Sequence, residues 1–154
     1  MRLAAALSER SNLQNRLSEL NTRLERNALV QEGEKPAEDP KKLLAELAEV
    51  TSRLEYLISS VNLTNTATIV DGRTLTEMLA HRDVLKLRLN ALRKLAESAS
   101  QTANRYSRSE VKTLSTVSVP EIRKTVDALS KELRELDDKI QEVNWTTDLK
   151  DSIA

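Results

Sequence analysis

Apolar residues recur at alternating steps of three and four through most of this chain. The clearest run is Ile122, Val126, Leu129, Leu133, Leu136, Ile140 and Val143. That spacing lines one side of an α-helix with an apolar seam and turns the seam toward a partner helix. Lys131, Glu132, Arg134, Glu135, Asp138, Lys139 and Glu142 fall between the seam residues and stay in water. The run predicts a helix over about 120–143, with Pro120 at a first helical position. Its narrow seam suits a coiled-coil contact, so Leu129, Leu133, Leu136 and Ile140 are the candidate oligomer seam.

Three further helices follow from the same reading. Leu3, Ala6, Arg10, Leu13, Leu17, Leu20, Leu24 and Asn27 predict a first helix over about 2–29. Arg10 and Asn27 are polar entries that either fix register within the seam or lie just off it or at a frayed end. A glycine and two prolines between Val30 and Pro40 stop that helix, and Asp39-Pro40 reads as a cap and first helical position. A second helix over about 40–61 carries Leu43, Leu47, Val50, Leu54, Leu57 and Val61, with Leu44 and Ile58 widening the stripe. The period then changes: Val61, Leu63, Ala67 and Ile69 alternate with Asn62, Thr64, Thr66 and Thr68, which predicts a short strand-like segment ended by Asp71-Gly72. Thr74 and Glu77 spell a capping box for a third helix over about 74–101. One stripe of that helix is Met78, Leu85, Leu89, Leu92 and Ala96. A second is Ala80, Val84, Ala91 and Leu95. Two stripes predict two neighbours, so this helix is expected to be the most buried. Residues 102–119 form a second non-helical stretch, and Trp145 is expected to fold back onto the bundle.

The fold expected is all-α: an antiparallel four-helix bundle or coiled coil in one domain over 1–154, with long inter-helix loops and at most a minor β element. An up-down-up-down path places the 30–40 and 102–119 loops at one end and 62–73 at the other.

Composition removes chemistry more than it adds any. Lys+Arg and Asp+Glu both number 24, so no net field draws the chain to nucleic acid or an anionic membrane. There is no cysteine, which removes disulfides, thiol nucleophiles and thiolate metal sites. The N-terminus lacks a signal-peptide core, and no run approaches the roughly 20 apolar residues of a membrane span, so a cytoplasmic protein is expected. His81-Arg82-Asp83 spells the start of a kinase catalytic loop, but Arg88 stands where that motif needs its metal-binding Asn. One His cannot furnish the paired Glu-x-x-His ligands of a di-metal bundle. Two distant glycines write no phosphate loop, and no nucleophile elbow exists. No enzyme, cofactor or metal is expected, although a carboxylate-only cation site stays open.

What polar specificity there is lies in the loops. Glu32, Glu34 and Asp39 on one, and Arg105, Tyr106, Arg108 and Lys112 on the other, make a candidate binding surface or an assembly contact of equal standing. The stretches Val30–Pro40, Thr74–Glu77, Arg82–Leu87, Arg105–Lys112 and Gln141–Thr147 resemble the septicolysin-like family of small bacterial helical proteins. That resemblance implies a pore-forming toxin and transfers no site residues. The alternating, uncharged stretch from Tyr56 to Val70 has the length of a barrel strand, whereas aromatics at 2% are too few for interfacial girdles. The leading expectation is a helical scaffold or adaptor. It would self-associate, as a dimer first of all, and bind an unnamed protein partner through its loops. A membrane-acting toxin and a nucleic-acid accessory protein are the alternatives.

Overall fold

The computed structural model describes residues 1–101 and 112–152. The element order is α1 (Leu3–Arg26), α2 (Pro40–Ala67), β1 (Ile69–Val70), β2 (Arg73–Thr74), α3 (Leu75–Ser100) and α4 (Val119–Thr146). The fold is all-α, with one two-stranded antiparallel ribbon as its β element. The chain forms two compact units, one of Met1–Leu75 with the residues from Glu142 onward, the other of Thr76–Gln141.

In the first unit α1 and α2 pack as an antiparallel hairpin. Leu20, Leu43 and Val50 are buried together, with Leu13, Leu17 and Leu24 packed against them. The seam alone does not fix the register, because leucine meets leucine at several offsets. Charge does. Glu9, Arg16 and Arg23 recur every seven residues along one edge of α1. Arg53 donates to both carboxylate oxygens of Glu9, at 2.7 and 2.9 Å. Arg16 donates to Glu46 at 2.8 Å, and Arg23 to Glu38 at 2.6 Å. Of the two polar seam entries, Asn27 is buried at the C-cap of α1. Its amide donates to the Arg23 carbonyl at 2.8 Å, and its side-chain oxygen accepts the Glu38 N–H at 2.9 Å. Arg10 is half-buried, and its Nε has no hydrogen-bond partner.

The strand-like segment expected after Val61 is helical instead: α2 continues to Ala67. Threonine hydroxyls that read as β-formers donate back one turn, Thr64 to Ser60 O at 2.7 Å, Thr66 to Asn62 O at 2.8 Å and Thr68 to Thr64 O at 2.7 Å. That absorbs their polarity into the helix. Only Ile69–Val70 pairs, with Arg73–Thr74, in the register Ile69↔Thr74 and Val70↔Arg73. Asp71 at φ +50° and Gly72 at φ +81° form the turn, the left-handed pair that a two-residue hairpin needs.

The C-terminal residues lie against α2 as an extended strap. Thr64 Oγ1 accepts the Lys150 N–H at 2.8 Å, and Ser60 Oγ accepts the Ser152 N–H at 3.1 Å. The Tyr56 hydroxyl donates to Asp151. Tyr56, Ser60 and Thr64 stand four residues apart and therefore share one face of the helix. At its other edge the strap meets the N-terminus. Leu3 N–H donates to Thr147 O at 2.9 Å, and Leu149 N–H to Met1 O at 2.8 Å.

In the second unit α3 and α4 pack antiparallel. Leu85, Leu89 and Leu129 are buried together, and Leu92, Val126 and Leu133 pack on them. Arg93 donates to Ser130 Oγ at 3.1 Å and His81 Nε2 lies 2.9 Å from Glu132 Oε1. α4 starts one residue before Pro120, because Ser118 Oγ accepts the Glu121 N–H at 3.4 Å and caps the helix. α3 is not doubly buried as its two stripes predict. Met78, Leu85, Leu89 and Ala96 are buried, but the second stripe faces solvent, with Val84 at 62% and Leu95 at 42% exposed. A periodic stripe shows that a helix has an apolar side, not that the chain supplies a cover for it.

Candidate functional site

The loop residues singled out from the sequence do local work where the structure describes them. Asp39 caps α2, its carboxylate accepting the Lys41 N–H at 3.0 Å. Glu32 and Glu34 are exposed, in a turn closed by Glu34 N–H to Gln31 O at 3.0 Å around Gly33 at φ +86°. Glu38 is held by Arg23, and those hydrogen bonds keep its carboxyl below the usual carboxylate range. An open cleft of about 430 Å³ runs beside Leu29, Val30, Gln31, Glu34 and Lys35. On the other loop Lys112 is exposed. Arg105, Tyr106 and Arg108 lie outside the described residues, and with them the expected pairing of acidic and basic loops.

The candidate oligomer seam is used within the chain. Leu129 and Leu133 pack on Leu85 and Leu89 of α3, Ile140 is buried and Leu136 is half-buried. Within the chain, the α4 seam thus packs on α3 through Leu129 and Leu133. His81-Arg82-Asp83 is likewise taken up in ion pairs. The Glu132 carboxylate accepts from the His81 ring, and Arg82 bridges Asp83 at 3.0 Å and Asp137 of α4 at 3.9 Å. Among the described residues no three His, Cys, Asp or Glu side chains gather as metal ligands.

Two exposed apolar features lie on α3 and α4. The first is the outer side of α3, where Ala80, Val84, Leu87, Ala91 and Leu95 follow one another at steps of four, three, four and four. Leu87 is 69% exposed and joins the stripe that the sequence had outlined without it. The second is Trp145, which is 67% exposed in the last turn of α4 rather than folded back. Its neighbours Val143 and Asn144 are the buried residues of that turn, so the indole is directed outward by helical geometry. The missed signal was in the sequence: Trp145 stands two residues after Val143, the last member of the α4 seam, and thus well around the helix from it.

Ion pairs set the electrostatics of the first unit. The Arg53 guanidinium beside Glu9 holds that carboxyl below its ordinary value, and Glu9 in turn raises Arg53. Asp151, accepting the Tyr56 hydroxyl, pushes the phenol upward. Arg53 also stacks over the Tyr56 ring, 5.0 Å from its centroid. Each shift has a structural ion pair or strap bond as its cause.

Over residues 10–149 the chain matches a family described as "Family of unknown function (DUF6847)". It is a member of that family. A crystal structure titled "functionally unknown conserved protein from Corynebacterium diphtheriae" is 44% identical, covers 97% of this chain and 99% of its own, and superposes with a TM-score of 0.90. No curated protein matches the chain. The DUF6847 match replaces the septicolysin-like resemblance. Where described, the stretches that suggested that resemblance have local duties: Asp39 caps, Glu38 pairs and Arg82 bridges. With it falls the support for a toxin, and the segment offered as a barrel strand in this DUF6847 member lies mostly in α2. Among the described residues no helix is long and apolar enough to cross a membrane.

Proposed function

We propose that this DUF6847 protein is a non-enzymatic helical scaffold that self-associates and holds another macromolecule through its loops. The exposed apolar stripe of α3 carries the reading. Each hairpin already buries a leucine core of its own, and among the described residues Val84 and Leu87 of this second stripe stay mostly exposed, while Leu95 borders a cleft with Leu114 and Val117. A contiguous apolar strip kept in water is the usual mark of a protein contact. The perturbed ionisable groups support the same view, because their causes are structural pairs and not groups converging on a pocket.

Light scattering across a concentration series tests self-association, and a protein that stays monomeric up to about 300 µM, a range that covers weak contacts, ends that half of the proposal. Charge reversal of Arg105 and Arg108 to Glu tests the loops. It is expected to abolish capture of a macromolecular partner while helicity and oligomer size stay unchanged. If the double variant dissociates instead, the loops are assembly contacts and the partner half fails.

A further inference from the structure

We infer that the outer stripe of α3 docks against the same stripe of a second copy of this chain, the two helices running antiparallel. The inference rests on the self-association proposed above and names its surface, partner and orientation.

Size complementarity favours a second copy. A two-fold axis beside Leu87 pairs Ala80 with the partner copy's Leu95, and Val84 with the partner copy's Ala91, leaving the two Leu87 side chains together. Every small residue then meets a large one, which is how facing helices interdigitate without voids. A parallel pair would set Ala80 on Ala80 and Ala91 on Ala91, leaving gaps in two layers.

Charge complementarity agrees. On the flank of the stripe, Asp83 comes level with Lys94 of the second copy, and the axis repeats that pair. Both residues are exposed, and one Asp83 oxygen is already engaged by Arg82 at 3.0 Å, which aims the carboxylate. On the opposite flank Arg88 meets its own copy near the axis, an opposing like charge.

Area sets the strength. From Ala80 to Leu95 the strip is about 22 Å long and about 10 Å wide at the usual helical rise and diameter. That footprint is well short of the about 800 Å² per partner of a standard stable interface. The dimer is therefore weak and reversible.

The absence of cysteine from the chain allows a direct test. Sedimentation velocity from about 5 to about 300 µM should show mass rising toward a dimer, spanning the weak range expected for so small a contact. Leu87→Glu and Val84→Glu should hold the protein monomeric with an unchanged far-ultraviolet spectrum, since both side chains are exposed. Under mild oxidation an equal mixture of Ala80→Cys and Leu95→Cys should give mixed disulfides, while Ala80→Cys alone should give none. Asp83→Lys should weaken association several-fold, and adding Lys94→Asp should restore it.

A protein monomeric throughout the series overturns the inference and self-association together. An oligomer that survives both glutamate variants overturns the α3 surface and leaves self-association standing. Self-linking of Ala80→Cys, with no mixed product, overturns the antiparallel orientation.

Discussion

Thr64→Val changes one oxygen to a methyl group at a fully buried position and should release the C-terminal strap. Shape and β-branching are kept, so packing and helix propensity change little. What changes is a hydrogen-bond chain. The threonine hydroxyl donates to Ser60 O at 2.7 Å and accepts the Lys150 N–H at 2.8 Å. Ser60 O retains its place in the helical ladder, but the Lys150 N–H has no other acceptor at that position. The donor is part-buried, so leaving it without a partner costs at most the about 1–3 kcal/mol of a buried one. The strap has a cheaper response than staying put, which is to lift into water, so the cost appears as local opening. At about 1.4 kcal/mol per tenfold, opening should become more frequent by at most about 5- to 150-fold. Amide hydrogen exchange followed by NMR reads this at Lys150 and Ser152, with the amides of α1 and α4 as internal references. Thr66→Val is the control, because that hydroxyl is exposed and bonds only Asn62 O. Wild-type exchange at Lys150 in the Thr64 variant would refute the clamp, and equal acceleration in the Thr66 variant would assign the effect to the helix.

Other outcomes follow from features already described. Leu89→Ala empties the buried centre of the α3–α4 core and should cost about 2–5 kcal/mol in urea unfolding, whereas Leu87→Ala, two residues away and exposed, should cost far less. Glu9 and Glu38 are held below their ordinary values by Arg53 and Arg23, so both contribute stability above about pH 4.3 that is lost as pH falls through the lowered values. Urea midpoints should therefore drop as pH falls below about 4.3, and Arg53→Gln should flatten that drop. Tyr56 is shifted the other way, so its contribution should persist below about pH 10 and disappear as pH rises past its raised value, a loss absent from Tyr56→Phe. Arg88→Gln removes the like-charge pair near the proposed axis and should tighten self-association without altering the melting temperature. Trp145→Ala should leave that temperature within a degree or two, since the indole is mostly in water.

Helices were legible in the sequence because leucine spacing carries them, and Asp39-Pro40 and Asp71-Gly72 sit where caps and turns demand those residues. Two elements misled for physical reasons. The run of Thr64, Thr66 and Thr68 alternates like a strand, yet each hydroxyl closes on a helical carbonyl, and alternation cannot reveal that acceptor. The second stripe of α3 was read as buried because periodicity reports polarity and not company. Of the seam Leu129, Leu133, Leu136 and Ile140, the chain itself buries Leu129 and Ile140 and packs Leu133 on α3, contacts that spacing alone does not distinguish from those of a second copy. The strap was invisible for a third reason: Tyr56, Ser60 and Thr64 bind main-chain or carboxylate groups far along the chain, and serine and threonine at helical spacing have many ordinary explanations.

The ion pairs along α1 and α2 work as a checksum on alignment. Read toward one end, α1 presents Glu9, Arg16, Arg23 and α2 presents Arg53, Glu46, Glu38, so the aligned hairpin makes three attractions. Slide one helix by a heptad and leucines still cover leucines, so apolar burial barely registers the error. The charges do register it. In one direction Arg16 lands on Arg53 while Arg23 meets Glu46. In the other, Glu9 lands on Glu46 while Arg16 meets Glu38. Each shift leaves one attraction and one repulsion, which cancel. A repetitive seam supplies the adhesion and is blind to position, and an unsymmetrical string of six charges supplies the position at little adhesion. A chain in which Glu9 and Arg53 were exchanged would keep its native pair but turn every contact of both slid alignments into an attraction, and its hairpin would lose most of its means to tell the right alignment from its neighbours.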